Sequence, residues 1–127
     1  MTLGEMLAAA EAKITRLSPA EAQAAMEQGA LLVDIRAGES IERNGAVPGA
    51  IHVPRTKLEW RFDPEGGWRG DYAGDLDRQV ILICDEGCST ILAGGVLADL
   101  GYRNVCDVIG GFEAWAFSGS LPVSRTA

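Results

Sequence analysis

The residues Val80-Ile81-Leu82-Ile83 form an unbroken aliphatic run, and Cys84 follows it directly. A run of that length, rich in β-branched side chains, is a strand buried on both faces, as in a parallel sheet covered by helices on each side. Asp85-Glu86-Gly87-Cys88-Ser89-Thr90 then makes a short loop with one glycine, and Ile91 to Leu100 reads as a helix stopped by Gly101. A chain holding this unit is constrained to an α/β fold in which a strand delivers a thiol to the start of a helix. The first N–H groups of a helix lack intrahelical partners, favour an anion and lower a cysteine pKa.

The rest of the chain repeats the same alternation. Leu31-Leu32-Val33-Asp34-Ile35 is a second buried-strand pattern, Asn104 to Ile109 a third, and Ile14 to Leu17 a brief one. The turn-like Gly45 to Ala50 leads to a short strand, Ile51-His52-Val53, which Pro54 stops. Leu3 to Ala12 is an alanine-rich helix. Ser18-Pro19-Ala20-Glu21 is a capping box with proline at the first helical position, predicting a helix to about Gln28 that Gly29 ends. Gly110-Gly111 predicts a tight turn before a last helix, Phe112 to Phe117. Arg55 to Arg78, with Trp60, Pro64 and Trp68, is irregular, and loops of this length inside compact domains are often functional. Alternating strands and helices predict an open parallel sheet.

Bulk properties narrow the function. The 127 residues suit one domain, and 47% hydrophobic with 23% charged residues is a globular composition. A net charge of −7 argues against binding nucleic acid or an anionic membrane, so any anion site must be local. Met1 to Leu17 carries Glu5 and Glu11 without a basic start and long apolar run, so it does not read as a signal peptide, and no stretch approaches membrane-spanning length. Three cysteines in such a chain predict free thiols and a cytoplasmic location. With a single histidine and no paired spacing they make no zinc site.

Ligands of open α/β sheets sit beyond the carboxyl ends of the strands, where Cys84 lies. Four segments in order resemble one family. They are Val33-Asp34-Ile35-Arg36; Val47-Pro48-Gly49-Ala50-Ile51-His52-Val53-Pro54; Cys84-Asp85-Glu86-Gly87-Cys88-Ser89-Thr90; and Ile109-Gly110-Gly111-Phe112-Glu113-Ala114-Trp115 with Leu121-Pro122-Val123. The chain resembles single-domain rhodanese-like sulfurtransferases over residues 14–123, with residues 1–13 as an extra N-terminal helix on one domain spanning 1–127. The resemblance implies a three-layer α/β/α fold around a mainly parallel five-stranded sheet.

The resemblance also implies sulfur transfer without a cofactor. Cys84 as a thiolate attacks the outer sulfur of a small donor, holds a persulfide, and passes the sulfur to a thiol or protein acceptor. Glu86, Gly87, Cys88, Ser89 and Thr90 would cradle the sulfur anion, with Arg55 the first choice among Arg55, Lys57, Arg61 and Arg69 to receive an anionic donor. The second and third loop positions depart from thiosulfate-using relatives, which carry neutral or basic residues where this chain has Asp85 and Glu86. Two like unit charges about 4 Å apart oppose each other by ~4 kcal/mol at an effective dielectric near 20. If these carboxylates point inward they raise the Cys84 pKa and repel a dianion. Ala46 stands where the family commonly has a histidine.

Phosphatases and arsenate reductases of related fold need an arginine six residues after the cysteine to clamp an oxyanion; Thr90 stands there. Two other readings stay open at this point: a rhodanese-like binding or regulatory domain without turnover, and a Cys84/Cys88 redox sensor. Cys88 either resolves the persulfide or fills a loop position. Cys106 and Trp115 are expected to pack in the core, Trp60 and Trp68 to pack or anchor loops, and Asp34, Arg36 and His52 to be structural.

Overall fold

The computed structural model describes residues 1–125. Its elements run α1 (Leu3–Glu11), β1 (Thr15–Leu17), α2 (Pro19–Glu27), β2 (Leu31–Asp34), α3 (Gly38–Asn44), β3 (Ile51–His52), α4 (Leu58–Phe62), β4 (Val80–Ile83), α5 (Ser89–Asp99), β5 (Val105–Val108) and α6 (Gly111–Phe117). Both N-terminal helices start at capping boxes. Thr2 and Ser18 accept from the N–H of Glu5 and Glu21, whose carboxylates accept from the N–H of Thr2 and Ser18 in return.

The strands form one sheet in the order β1-β5-β4-β2-β3. Every pairing is parallel, where the sequence predicted a mainly parallel sheet. β4 lies at the centre, with Asp34 of β2 opposite Ile83 on one side and Cys106 of β5 opposite Ile81 on the other.

Alternation along the strands splits the apolar side chains between two cores. Val33, Val80 and Leu82 pack with Leu58 and Phe62 of α4 and with Ala93 and Leu97 of α5. Leu32, Ile81, Ile83 and Val108 face the other way, onto Ala22 of α2 and Phe112 and Trp115 of α6. This is the three-layer arrangement. Gly94 and Gly95 weaken the middle of α5 by roughly 1 kcal/mol each relative to alanine. Their absent side chains let α1 and the turn after it approach, because a Cβ on Gly95 would meet Ala10 of α1 at 2.9 Å and one on Gly94 would meet Ile14 of that turn at 2.8 Å.

Three expectations change. Residues 38–44 form a helix that the sequence reading passed over. The irregular stretch after Pro54 contains a 3₁₀ turn, Arg55–Lys57, and then α4, whose five residues are too few for a periodic signal although Leu58 and Phe62 are fully buried. Trp60 and Trp68 are not packed; they are 57% and 71% exposed. Trp115 behaves as expected, with no exposed surface and its indole N–H donating to the Pro122 carbonyl at 2.9 Å. Among the described residues no helix is long and apolar enough to cross a membrane.

Trp115 joins α6 to the C-terminal segment under the sheet, so Trp115→Ala is expected to cost roughly 3–5 kcal/mol. Chemical denaturation measures this, and a loss under about 1 kcal/mol would contradict the packing role.

Candidate active site

β4 runs through the middle of the molecule and stops at Ile83, which places Cys84 at the carboxyl edge of the sheet, 5% exposed. The chain reverses there because the start of α6 holds it. The N–H of Phe112 donates to the Cys84 carbonyl at 2.7 Å, and the N–H of Glu113 to the Asp85 carbonyl at 3.0 Å. Two glycines make this approach possible. Gly111 has φ +61°, and a Cβ on it would lie 2.5 Å from the Cys84 carbonyl oxygen; Gly87 has φ +83°, and a Cβ would lie 2.7 Å from the Gly110 nitrogen. Gly110-Gly111 is therefore more than a turn, since it seats the cysteine loop.

The loop folds back over the sulfur. The Gly87 N–H donates to Cys84 Sγ at 3.2 Å, and Thr90 Oγ1 lies 3.6 Å from Sγ. α5 begins at Ser89 with Cys88 as its N-cap, so its free N–H groups face the thiol. Burial pushes the Cys84 thiol up. Hydrogen bonds from the Ser89 and Thr90 side chains and from the Thr90 and Gly87 N–H groups outweigh it, and the thiol lies below its ordinary value. Cys106 accepts from the Gln79 side-chain amide at 3.5 Å, but burial outweighs that bond and pushes its thiol up, and it packs under the sheet at 1% exposed.

A shallow cavity of about 240 Å³ opens over the sulfur, lined by Cys84, Asp85, Glu86, Cys88 and Ser89. Asp85 and Glu86 thus border the space a donor would enter, Asp85 half-buried and Glu86 exposed. The causes acting on the Cys84 thiol are burial and hydrogen bonds, with no charge on either carboxylate among them. The expected rise of the thiol from an inward-pointing Asp85 and Glu86 does not occur. A second hollow, about 400 Å³, shares Asp85 and Glu86 and carries Arg43 and Arg125 on its other walls.

Other candidate residues fall elsewhere. Arg55 does not line the cavity over Cys84; its guanidinium pairs with Glu59 at 2.7 Å. Arg61 and Arg69 donate to the backbone carbonyls of Trp68 and Pro64 within their own loop. Asp34 and Arg36 form a buried bidentate pair, with Arg36 also bonded to the Gly45 carbonyl and stacked 4.0 Å over the Phe112 ring. His52 Nε2 lies 2.7 Å from the Arg36 carbonyl. These are the structural roles expected for all three. Cys84, Cys88 and Cys106 are free thiols. No group of three or more His, Cys, Asp or Glu among the described residues could hold a metal ion.

Sequence reasoning missed Asp107 and Arg16. Asp107, on β5, is fully buried and accepts from Thr90 Oγ1 at 2.8 Å. Arg16, on β1, grips Asp107 through Nε and Nη2 at 3.0 Å each and donates from Nη2 to the Gly87 carbonyl at 2.7 Å. One signal was present: a carboxylate inside the otherwise apolar run Val105-Cys106-Asp107-Val108.

A helix-covered parallel sheet with a thiol cradled by N–H groups beyond its central strand defines a cysteine-centred α/β protein. The Rhodanese-like domain profile matches residues 18–118. The thiosulfate sulfurtransferase GlpE of Pseudomonas syringae is 35% identical over 100 residues, covering 79% of this chain and 85% of that relative. The thiosulfate sulfurtransferase GlpE of Haemophilus influenzae is 32% identical over 111 residues, covering 87% and 94%. Among solved structures, a Rhodopseudomonas palustris protein of unknown function, described as a possible tyrosine phosphatase, is 31% identical with a TM-score of 0.87, covering 98% of this chain and 95% of its own. The polysulfide-sulfur transferase homodimer of Wolinella succinogenes is 25% identical with a TM-score of 0.74, covering 94% and 84%. The chain belongs to the rhodanese-like domain family, as its four sequence segments indicated.

The hydrogen-bonded sulfur sets a first chemical expectation. Alkylation of Cys84 by a neutral haloacetamide should follow the thiolate and rise with a midpoint below that of a free cysteine, while buried Cys106 stays unmodified until the protein unfolds. Peptide mapping across pH reads this out, and a Cys84 midpoint equal to that of free cysteine would contradict the cradle.

Proposed function

We propose that the protein is a sulfurtransferase in which Cys84 carries sulfane sulfur as a persulfide. The observation that supports this best is the Gly87 N–H, 3.2 Å from Sγ at the mouth of an open cavity, with the start of α5 behind it. The Cys84 thiolate attacks the outer sulfur of the donor. A new S–S bond forms, the donor's S–S bond breaks, and its electron pair leaves with sulfite, a shortened polysulfide or a thiolate. An acceptor thiolate then attacks the outer sulfur of the persulfide and regenerates the Cys84 thiolate. No general base is needed once the thiol is ionised, which fits a site with no histidine lining it.

The loop from Glu86 to Thr90 does the binding in this reading. Gly87, Ser89 and Thr90 supply donors to the sulfur anion, and Glu86 and Cys88 border the space for the donor. Arg55, committed to Glu59, takes no part. Asp85 and Glu86 disfavour a compact dianion at the cavity mouth and favour a polysulfide or a persulfide on a thiol or protein. The phosphatase description of the R. palustris relative is not carried over, because Thr90 cannot make the two parallel N–H bonds with which arginine clamps an oxyanion. Three free thiols suit a reducing compartment such as the cytoplasm.

Intact-mass measurement after incubation with thiosulfate or polysulfide should give a gain of one sulfur atom that cyanide removes and Cys84→Ser abolishes. A loss of two hydrogens after mild peroxide, absent in Cys88→Ser, would instead favour a redox pair, and no adduct at all would leave a binding domain. Asp85→Asn and Glu86→Gln are each expected to lower the KM for thiosulfate several-fold at low ionic strength. Unchanged steady-state kinetics in both would remove the charge explanation of donor choice.

A further inference from the structure

Burying the Asp107 carboxylate without compensation would cost several kcal/mol, so a residue at this position requires partners. Arg16 alone would meet that need with its bidentate grip, and a purely structural pair joining β1 to β5 would end there. It does not end there. Asp107 Oδ2 also accepts from Thr90 Oγ1 at 2.8 Å, and the same oxygen of Thr90 lies 3.6 Å from Cys84 Sγ. Thr90 is fully buried, so no bulk water competes for its hydroxyl.

A threonine hydroxyl carries one proton. Opposite the Arg16 guanidinium the Asp107 carboxylate is an acceptor only, so while Cys84 is a thiol the Thr90 proton lies in the bond to Asp107. The S–H of Cys84 then points at a lone pair of Oγ1. When the sulfur becomes an anion, as thiolate or persulfide, that lone pair faces negative charge. The hydroxyl must turn and donate to sulfur, and Asp107 is left to Arg16. The sulfur anion and the Asp107 carboxylate compete for a single proton. We propose that Asp107 is a positioning residue which, through that one Thr90 proton, sets the balance between the neutral and anionic forms of the Cys84 sulfur. Arg16 holds both ends of the arrangement, gripping Asp107 and bonding the carbonyl of Gly87, whose N–H faces the sulfur.

This rests on Cys84 being the sulfur-carrying thiol, yet it is tested on the thiol itself. The other charged or titratable groups around the loop include Asp85 and Glu86 on it, Arg43 and Arg125 across the hollow those two share, Cys88 at the start of α5, Arg16 on β1 with Glu11 near it, the Asp34–Arg36 pair at the end of β2, and Glu113 on α6. All stay unchanged in the variants below. Asp107→Asn removes a buried negative charge and loosens the hold on the Thr90 proton. The pH midpoint of Cys84 alkylation should therefore fall by roughly one unit. Thr90→Val removes the donor and should raise the midpoint, Thr90→Ser should restore it, and Asp107→Asn made on Thr90→Val should move it by clearly less than on the wild-type chain. An unmoved midpoint in Asp107→Asn, or a shift of the same size in both backgrounds, would overturn the proposal. Should Asp107→Asn fail to fold by circular dichroism, Asp107→Ser in the same two backgrounds decides: an unmoved midpoint, or an equal shift on Thr90→Val, overturns it, and a fall that Thr90→Val suppresses upholds it. Sulfur loading by intact mass is followed in parallel. The predicted midpoints with no sulfur gain anywhere would count against the sulfurtransferase reading and leave the role of Asp107 standing.

Discussion

The carbonyl oxygens of Cys84 and Asp85 accept from the first N–H groups of α6, at 2.7 and 3.0 Å, and the rest of the site is arranged around that seat. Because the carbonyls are satisfied from behind, the loop can turn its own N–H groups forward over the sulfur. Gly87 then reaches Sγ, and the start of α5 lines up with it. The seat demands glycine at two places where backbones nearly touch, Gly87 against Gly110 and Gly111 against the Cys84 carbonyl. Any side chain there would force the strand end and the helix apart.

The result is a cysteine sulfur faced by hydrogen-bond donors in an acidic protein. The chain carries a net charge of −7, so long-range electrostatics do nothing to attract a sulfur anion. Short-range hydrogen bonds do what net charge cannot, and they outweigh burial at Cys84. The carboxylates of Asp85 and Glu86 border the cavity, and neither is among the causes acting on the thiol. The hydrogen bonds to the sulfur and the charges at the cavity mouth thus come from different residues of one loop.

Much of this could be read along the chain. Buried strands announce themselves as short aliphatic runs, the capping box of α2 as Ser18/Glu21, and the thiol of the site as the cysteine where a strand gives way to a glycine loop. What escaped had little local signal. Helix α4 has five residues and α3 has seven, lengths at which periodicity is not distinguishable from chance. Trp60 and Trp68 looked like anchors because tryptophan is usually well covered, but α4 turns Leu58 and Phe62 inward and Trp60 out, and the loop after it leaves Trp68 in solvent.

Sequence alone determined the class of fold, the position of the thiol and the threonine six residues after it, because each depends on residues adjacent along the chain. Tertiary structure decided which groups surround the sulfur. Arg16 and Asp107 are 91 residues apart, and Thr90 and Asp107 are 17 apart. They meet because β5 lies between β1 and β4 in the sheet, an order that local pattern does not encode. Arg55 was decided locally instead: the helical turn after Pro54 brings it to Glu59 four residues on, away from the cavity. Hydrogen bonds act over about 3 Å, so a site built from them is known only when the strands have been placed side by side.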